Sequence, residues 1–121
     1  MTVVLNHTIV PVADKHRGAR LFAALIGVGM TMESGPFAAV RVNDDLTFDF
    51  DDRLGSRPGN YAFLVDDGRF DHALATAKAA RLKWGSAPRL SDYEINHHAG
   101  GRGVYIRDPD GIAYEFFTAV P

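Results

Sequence analysis

The chain has no cysteine, which removes disulfides and thiolate metal sites from consideration. It also lacks any block of like charge. Its 13 Lys and Arg and 15 Asp and Glu are spread along 121 residues, for a formal net charge of -2. Nucleic acids and membrane surfaces therefore have no compositional claim on it. No apolar run is long enough to cross a bilayer, and the opening MTVVLNHTIV has neither a basic n-region nor a cleavage site. The expectation is a cytoplasmic protein.

What is present suits one globular domain. The length is typical of a single domain, and 46% hydrophobic content supplies a core. Residues 3 to 12, VVLNHTIVPV, alternate and are β-branched, which predicts a strand. Asp14 can cap a helix over 15 to 27, with Leu21, Phe22, Leu25 and Ile26 as its apolar stripe and Gly27 and Gly29 at its end. Strands follow at 36 to 42 and 46 to 50, joined by the turn-like Asn43-Asp44-Asp45. Residues 51 to 59, DDRLGSRPG, read as an internal linker.

The order then begins again. NYAFLV (60 to 65) is a strand and 69 to 82 a helix, with Phe70, Leu74, Ala77 and Leu82 on one side. Residues 84 to 96 are mixed and partly extended. GVYIRD (103 to 108) and IAYEFF (112 to 117) are strands around a DPDG turn. HTIVPVAD (7 to 14) lies over NYAFLVDD (60 to 67), and DDLTFDF (44 to 50) over DGIAYEF (110 to 116). The expected architecture is α+β: strand, helix and two or three strands, stated twice, in modules 1–52 and 59–121.

The repeat pairs His7 with Asn60 and Asp49 with Glu115. Strand side chains alternate between faces. In each of these strands the bulky apolar residues take one face, suited to a helix, and the polar residue takes the other. Glu115 stands between aromatic residues, and a buried carboxylate without a partner costs several kcal/mol or neutralises itself. Two halves joined edge to edge would bring all four polar residues onto one concave sheet face.

These stretches identify a resemblance. LNHTIVPVAD, NYAFLVDD and GRGVYIRDPDGIAYEFFT resemble the vicinal oxygen chelate superfamily, which includes glyoxalase I, the bleomycin and fosfomycin resistance proteins and the extradiol dioxygenases. The resemblance spans essentially the whole chain. It implies two βαβββ modules whose mainly antiparallel sheets form a groove, with helices on the outer faces. It also implies a divalent ion (Mn, Mg, Fe, Ni or Zn) held at His7, Asp49, Asn60 and Glu115. Asn60 departs from the family pattern, where a His is common; an amide is a weaker, harder donor than imidazole. Glu115 and Asp49 are the implied catalytic carboxylates. The implied function is a small-molecule enzyme of the glyoxalase and dioxygenase type, metal-assisted, a lyase, isomerase or dioxygenase. The alternative is a non-catalytic drug or metabolite binder that uses the same groove without metal. A small-molecule ligand and a homodimer are the expected partners.

Other polar clusters carry less. His97-His98 are adjacent, so on a strand they would point to opposite faces and could not share one ion. A mobile loop offering a substrate contact at the groove mouth is the reading adopted for them. The glycines after them lack the strand-loop-helix context of a phosphate loop, and DPDG is a turn. Arg41 and Arg107 suit an anionic substrate and an exposed strand face equally. The aromatic residues are assigned mainly to the core, with Phe117 and Trp84 as apolar groove walls.

Overall fold

Asp14 begins the first helix as its sequence position suggests: its carboxylate accepts from the amides of His16 and Arg17, both at 3.1 Å. Those bonds, Arg17 first, hold its carboxyl below the ordinary Asp value. The computed structural model describes residues 2–29 and 32–121. The chain divides into two units, Met1–Arg57 and Pro58–Pro121.

The first unit contains β1 (His7–Pro11), α1 (Lys15–Ile26), β2 (Met32–Ser34), β3 (Phe37–Arg41) and β4 (Thr47–Asp51). Its sheet runs β1-β4-β3-β2, with β1 parallel to β4 and the other pairs antiparallel. One face packs on α1. There Phe22 stacks on Phe48 with ring centroids 4.7 Å apart and tilts against Phe50 at 5.7 Å. Gly18 permits the helix this close approach, since a Cβ there would lie 3.2 Å from the Phe50 ring. Val10, Val12, Leu25 and Val40 complete the core.

The second unit contains β5 (Gly59–Leu64), α2 (Asp67–Ala79), β6 (Lys83–Gly85), β7 (Gly103–Arg107) and β8 (Ile112–Phe117). Its sheet runs β5-β8-β7-β6, with the same single parallel pair, β5 with β8. Phe70, Ala73 and Ala77 of α2 are buried, as are Val104, Ile106, Tyr114 and Phe116 of the sheet. Burial raises the Tyr114 phenol far above its ordinary value.

The expected α+β fold and twofold βαβββ order are what the chain adopts, as two four-stranded mixed sheets with one helix each. The repeat extends to register. His7 pairs with Thr47 and Asn60 with Ala113, while Ile9 pairs with Asp49 and Ala62 with Glu115. The match ends at the helix caps. Asp66, not Asp67, caps α2, accepting from the Arg69 amide at 2.7 Å, so the second connection is one residue shorter than the first. Three boundaries also differ from expectation. β1 starts at His7: the Asn6 carbonyl still accepts from the Thr47 amide of β4 at 2.9 Å, but residues 3 to 5, though β-branched or apolar, lie outside the β1–β4 ladder. α2 starts and ends earlier than expected, leaving Leu82 outside it. The optional extra strand forms in both units, as β2 and β6.

Candidate functional site

Alternation leaves each sheet with a second face that its own helix does not cover. In the second unit this open face is ordered in rows across the strands. The first row is Asn60, Ala113, Arg107 and Lys83; the second is Ala62, Glu115, Tyr105 and Gly85; the third begins with Leu64, Phe117 and Gly103. Polarity is therefore graded along the strands. Cationic and amide groups lie at one end, a carboxylate and a phenol in the middle, and apolar side chains at the other end. Leu64 is 57% exposed there.

Glu115 thus has the environment its sequence context demands. It is half-exposed on the open face, with Tyr105 directly across from it on β7. The Tyr105 phenol is raised above its ordinary value, by burial first and then by the neighbouring Glu115 carboxylate. Directly across from Glu115 stands a phenol rather than a cation.

A folded-back loop shapes the Arg107 end of this face. Gly85 makes this possible: a Cβ there would meet the Leu90 carbonyl oxygen at 1.9 Å. Asp92 ties the loop together, accepting from the Ser86 amide at 2.9 Å, the Ser86 hydroxyl at 2.5 Å and the Glu94 amide at 3.2 Å. These bonds, the Ser86 hydroxyl foremost, lower its carboxyl from the ordinary value. The loop places Ser91 Oγ against the Arg107 guanidinium. Beside it, Pro58, Asn60, Pro88, Arg89, Arg107 and Ala113 line a concavity of about 670 Å³.

In the first unit, His7, Ile9 and Pro11 share the open face with Thr47, Asp49 and Asp51. His7 and Asp49 stand diagonally on adjacent strands, as Asn60 and Glu115 do in the second unit. His7 is exposed and its Nδ1 lies 3.0 Å from Asn6 Oδ1. Asp49 is half-buried, across from Ile9 and Ala39. Asp51, two residues on, receives both Arg53 Nε and a terminal nitrogen at 3.0 Å, which lowers its carboxyl.

The implied metal centre was tested against these donors. The open face of the first sheet brings together two strong ligands, His7 and Asp49; that of the second brings one, Glu115, beside the Asn60 amide. Among the described residues, no group of three or more His, Cys, Asp and Glu could hold a metal ion.

His97 and His98 are both exposed. Their turn is closed rather than loose: Asn96 and Gly103 exchange backbone hydrogen bonds of 2.9 Å in both directions, and Asn96 Nδ2 donates to the Ser86 carbonyl at 3.0 Å. Phe117 is half-buried on the open face, as a groove wall requires. Trp84 is not such a wall. It pairs with Ile106 on the helix side, is buried, and lies under Lys78 of α2 at 5.4 Å. Its neighbours Lys83 and Gly85 take the open face instead. Tyr105 was missed because it was grouped with the core aromatics. Its position between the apolar Val104 and Ile106 was the signal that it faces the other way. Arg89 carried no sequence signal, because only the loop fold brings it to the site.

No family model matches the chain, and no curated protein matches it. Solved structures do. Oxidase ChaP-H1 is 40% identical, with 98% of this chain and 98% of that one covered and a TM-score of 0.92. Oxidase ChaP-H2 is 38% identical over 99% of this chain and 96% of that one, also with a TM-score of 0.92. A glyoxalase/bleomycin resistance protein from Albidiferax ferrireducens shares the fold at 17% identity, with coverage of 96% and 98% and a TM-score of 0.75.

Proposed function

We propose that this chain, which shares its fold with a glyoxalase/bleomycin resistance protein, is a vicinal oxygen chelate enzyme that oxidises a small oxygen-bearing molecule, with the open face of the second sheet as its reacting surface. The observation that carries this reading is the near full-length likeness to two proteins named as oxidases. The Glu115–Tyr105 pair supplies a chemical basis. Glu115 is a half-exposed carboxylate able to take a proton from a substrate hydroxyl or an acidic C–H. The Tyr105 hydroxyl orients it. Loss of the proton leaves an electron-rich anion, which passes two electrons, one after the other, to dioxygen as the external oxidant; the substrate also loses a second proton and becomes a carbonyl or quinone, and dioxygen takes up the two electrons and two protons as hydrogen peroxide. Phe117 and Leu64 cover the apolar part of the substrate and limit access of water.

Metal assistance and the ligand roles of His7, Asp49, Asn60 and Glu115 belong to the same reading. They are decided by the metal content of protein purified without chelator. The second reading, a binding protein without catalysis, is favoured by Asn60, an amide where the resemblance implies an imidazole. Aerobic incubation with a panel of phenols and hydroxyketones separates the two. Oxygen uptake and an oxidised product from at least one member are expected. Saturable binding across the panel with no oxygen uptake would replace the oxidation reading with the binding one.

A further inference from the structure

The concavity at the Asn60 end of the second sheet is built for negative charge. Arg107 reaches it from β7 and Arg89 from the folded-back loop; Asn60, Gly111 and Ala113 also line it. None of the ion pairs among the described residues involves Arg89 or Arg107. The guanidinium of Arg107 spends one N–H on Ser91 Oγ, which fixes its direction and leaves other donors open. The nearest buried carboxylate, Asp108, is turned away into its own tight turn. It accepts from the amides of Asp110 at 2.9 Å and Ile112 at 3.0 Å.

We infer that this concavity is the subsite for a carboxylate on the substrate, held by the Arg89 and Arg107 guanidinium groups with the Asn60 amide beside them. Guanidinium matches a planar carboxylate in charge and in forked geometry. The rows then set the shape of the molecule. Adjacent rows lie two residues apart along the strand, roughly 7 Å at the usual strand rise. A bound acid that extends along the strands puts its reacting oxygen about 7 Å from the carboxylate, at Glu115 and Tyr105, and its apolar end against Leu64 and Phe117. The substrate class is a small aromatic or alicyclic hydroxy acid. The placement of the reacting oxygen rests on the proposed oxidation; the carboxylate subsite does not.

The test is an NMR titration of amide shifts with para-hydroxybenzoate and its neutral amide, para-hydroxybenzamide. The acid is expected to bind saturably and to perturb Asn60, Arg89 and Gly111, and the amide to bind about tenfold more weakly. Arg107→Gln and Arg89→Gln should each weaken the acid by about tenfold and leave the amide unchanged. Arg89 makes no contact that the fold needs, so its variant stays informative if Arg107→Gln disturbs the loop. Equal binding of the two probes, shifts elsewhere in the chain, or no saturable binding would overturn the subsite. Charge selectivity without any turnover would end the oxidation reading and keep the subsite. Turnover of an acid substrate that neither Arg variant weakens or slows would do the reverse.

Discussion

Tyr105 stands directly across from Glu115 in the antiparallel pairing of β7 with β8, and burial together with the neighbouring Glu115 carboxylate raises its phenol above the ordinary value. The phenol therefore holds its proton more tightly in the folded chain than in the unfolded one. The stabilisation from this difference is complete below the ordinary phenol value of 10.0 and is lost as pH rises through the higher folded value. Glu115→Gln removes the charge but leaves burial. The Tyr105 titration midpoint, read from phenolate absorbance against a Tyr105→Phe control, should move down and stay above the ordinary value. An unchanged midpoint would mean that the pair does not form in solution.

Asp92 makes the opposite pH prediction. Its carboxyl is lowered by Ser86, so its contribution is present above the ordinary Asp value of 3.8 and fades as pH falls through the folded value. Asp92→Asn should remove that acid-side dependence and loosen the loop. Faster hydrogen exchange at the Ser86 and Glu94 amides is the readout; exchange equal to wild type would show that the loop is held by other contacts.

Gly85→Ala puts a methyl where the Leu90 carbonyl oxygen now lies. The loop must move off the sheet, and the change should cost about 1–3 kcal/mol. Urea unfolding measures it, and the same variant should weaken the acid probe by displacing Arg89. A midpoint equal to wild type would contradict the packing of residues 86 to 93 against β6.

Phe22 is fully buried and meets both Phe48 and Phe50. Phe22→Ala should cost about 3–5 kcal/mol, enough to threaten a small unit. The milder Phe22→Leu retains most of the volume and should cost less than half of that. Denaturation midpoints in the order wild type, Leu, Ala are expected.

Much of this was legible in the residues, and the reasons differ by element. IAYEFF was readable to the residue because alternation and the DPDG turn bound it on both sides. His7, Asn60, Asp49 and Glu115 were assigned to faces correctly because a period of two admits only one register with the apolar side inward. Residues 3 to 5 have strand propensity but lie outside the β1–β4 ladder, which a single stretch cannot reveal. The repeat, which sets Asp14 over Asp67, slips by one at the start of α2, because Asp66 and Asp67 are both competent caps and Asp66 takes the role. Tyr105 was hidden by composition, since a phenol counts as apolar until its row is known. Arg89 was hidden by topology. Its place depends on Gly85, four residues earlier, which lets the loop turn back over the sheet.

The central claim is that Glu115 is the proton acceptor on the open face of the second sheet. Turnover and binding measured side by side in wild type and Glu115→Gln, on a panel substrate that shows oxygen uptake, test it most directly. Loss of a general base should slow turnover by about 10²- to 10⁴-fold, while binding of the same substrate stays close to wild type and the fold is retained. A Glu115→Gln protein that oxidises the substrate at the wild-type rate would contradict it.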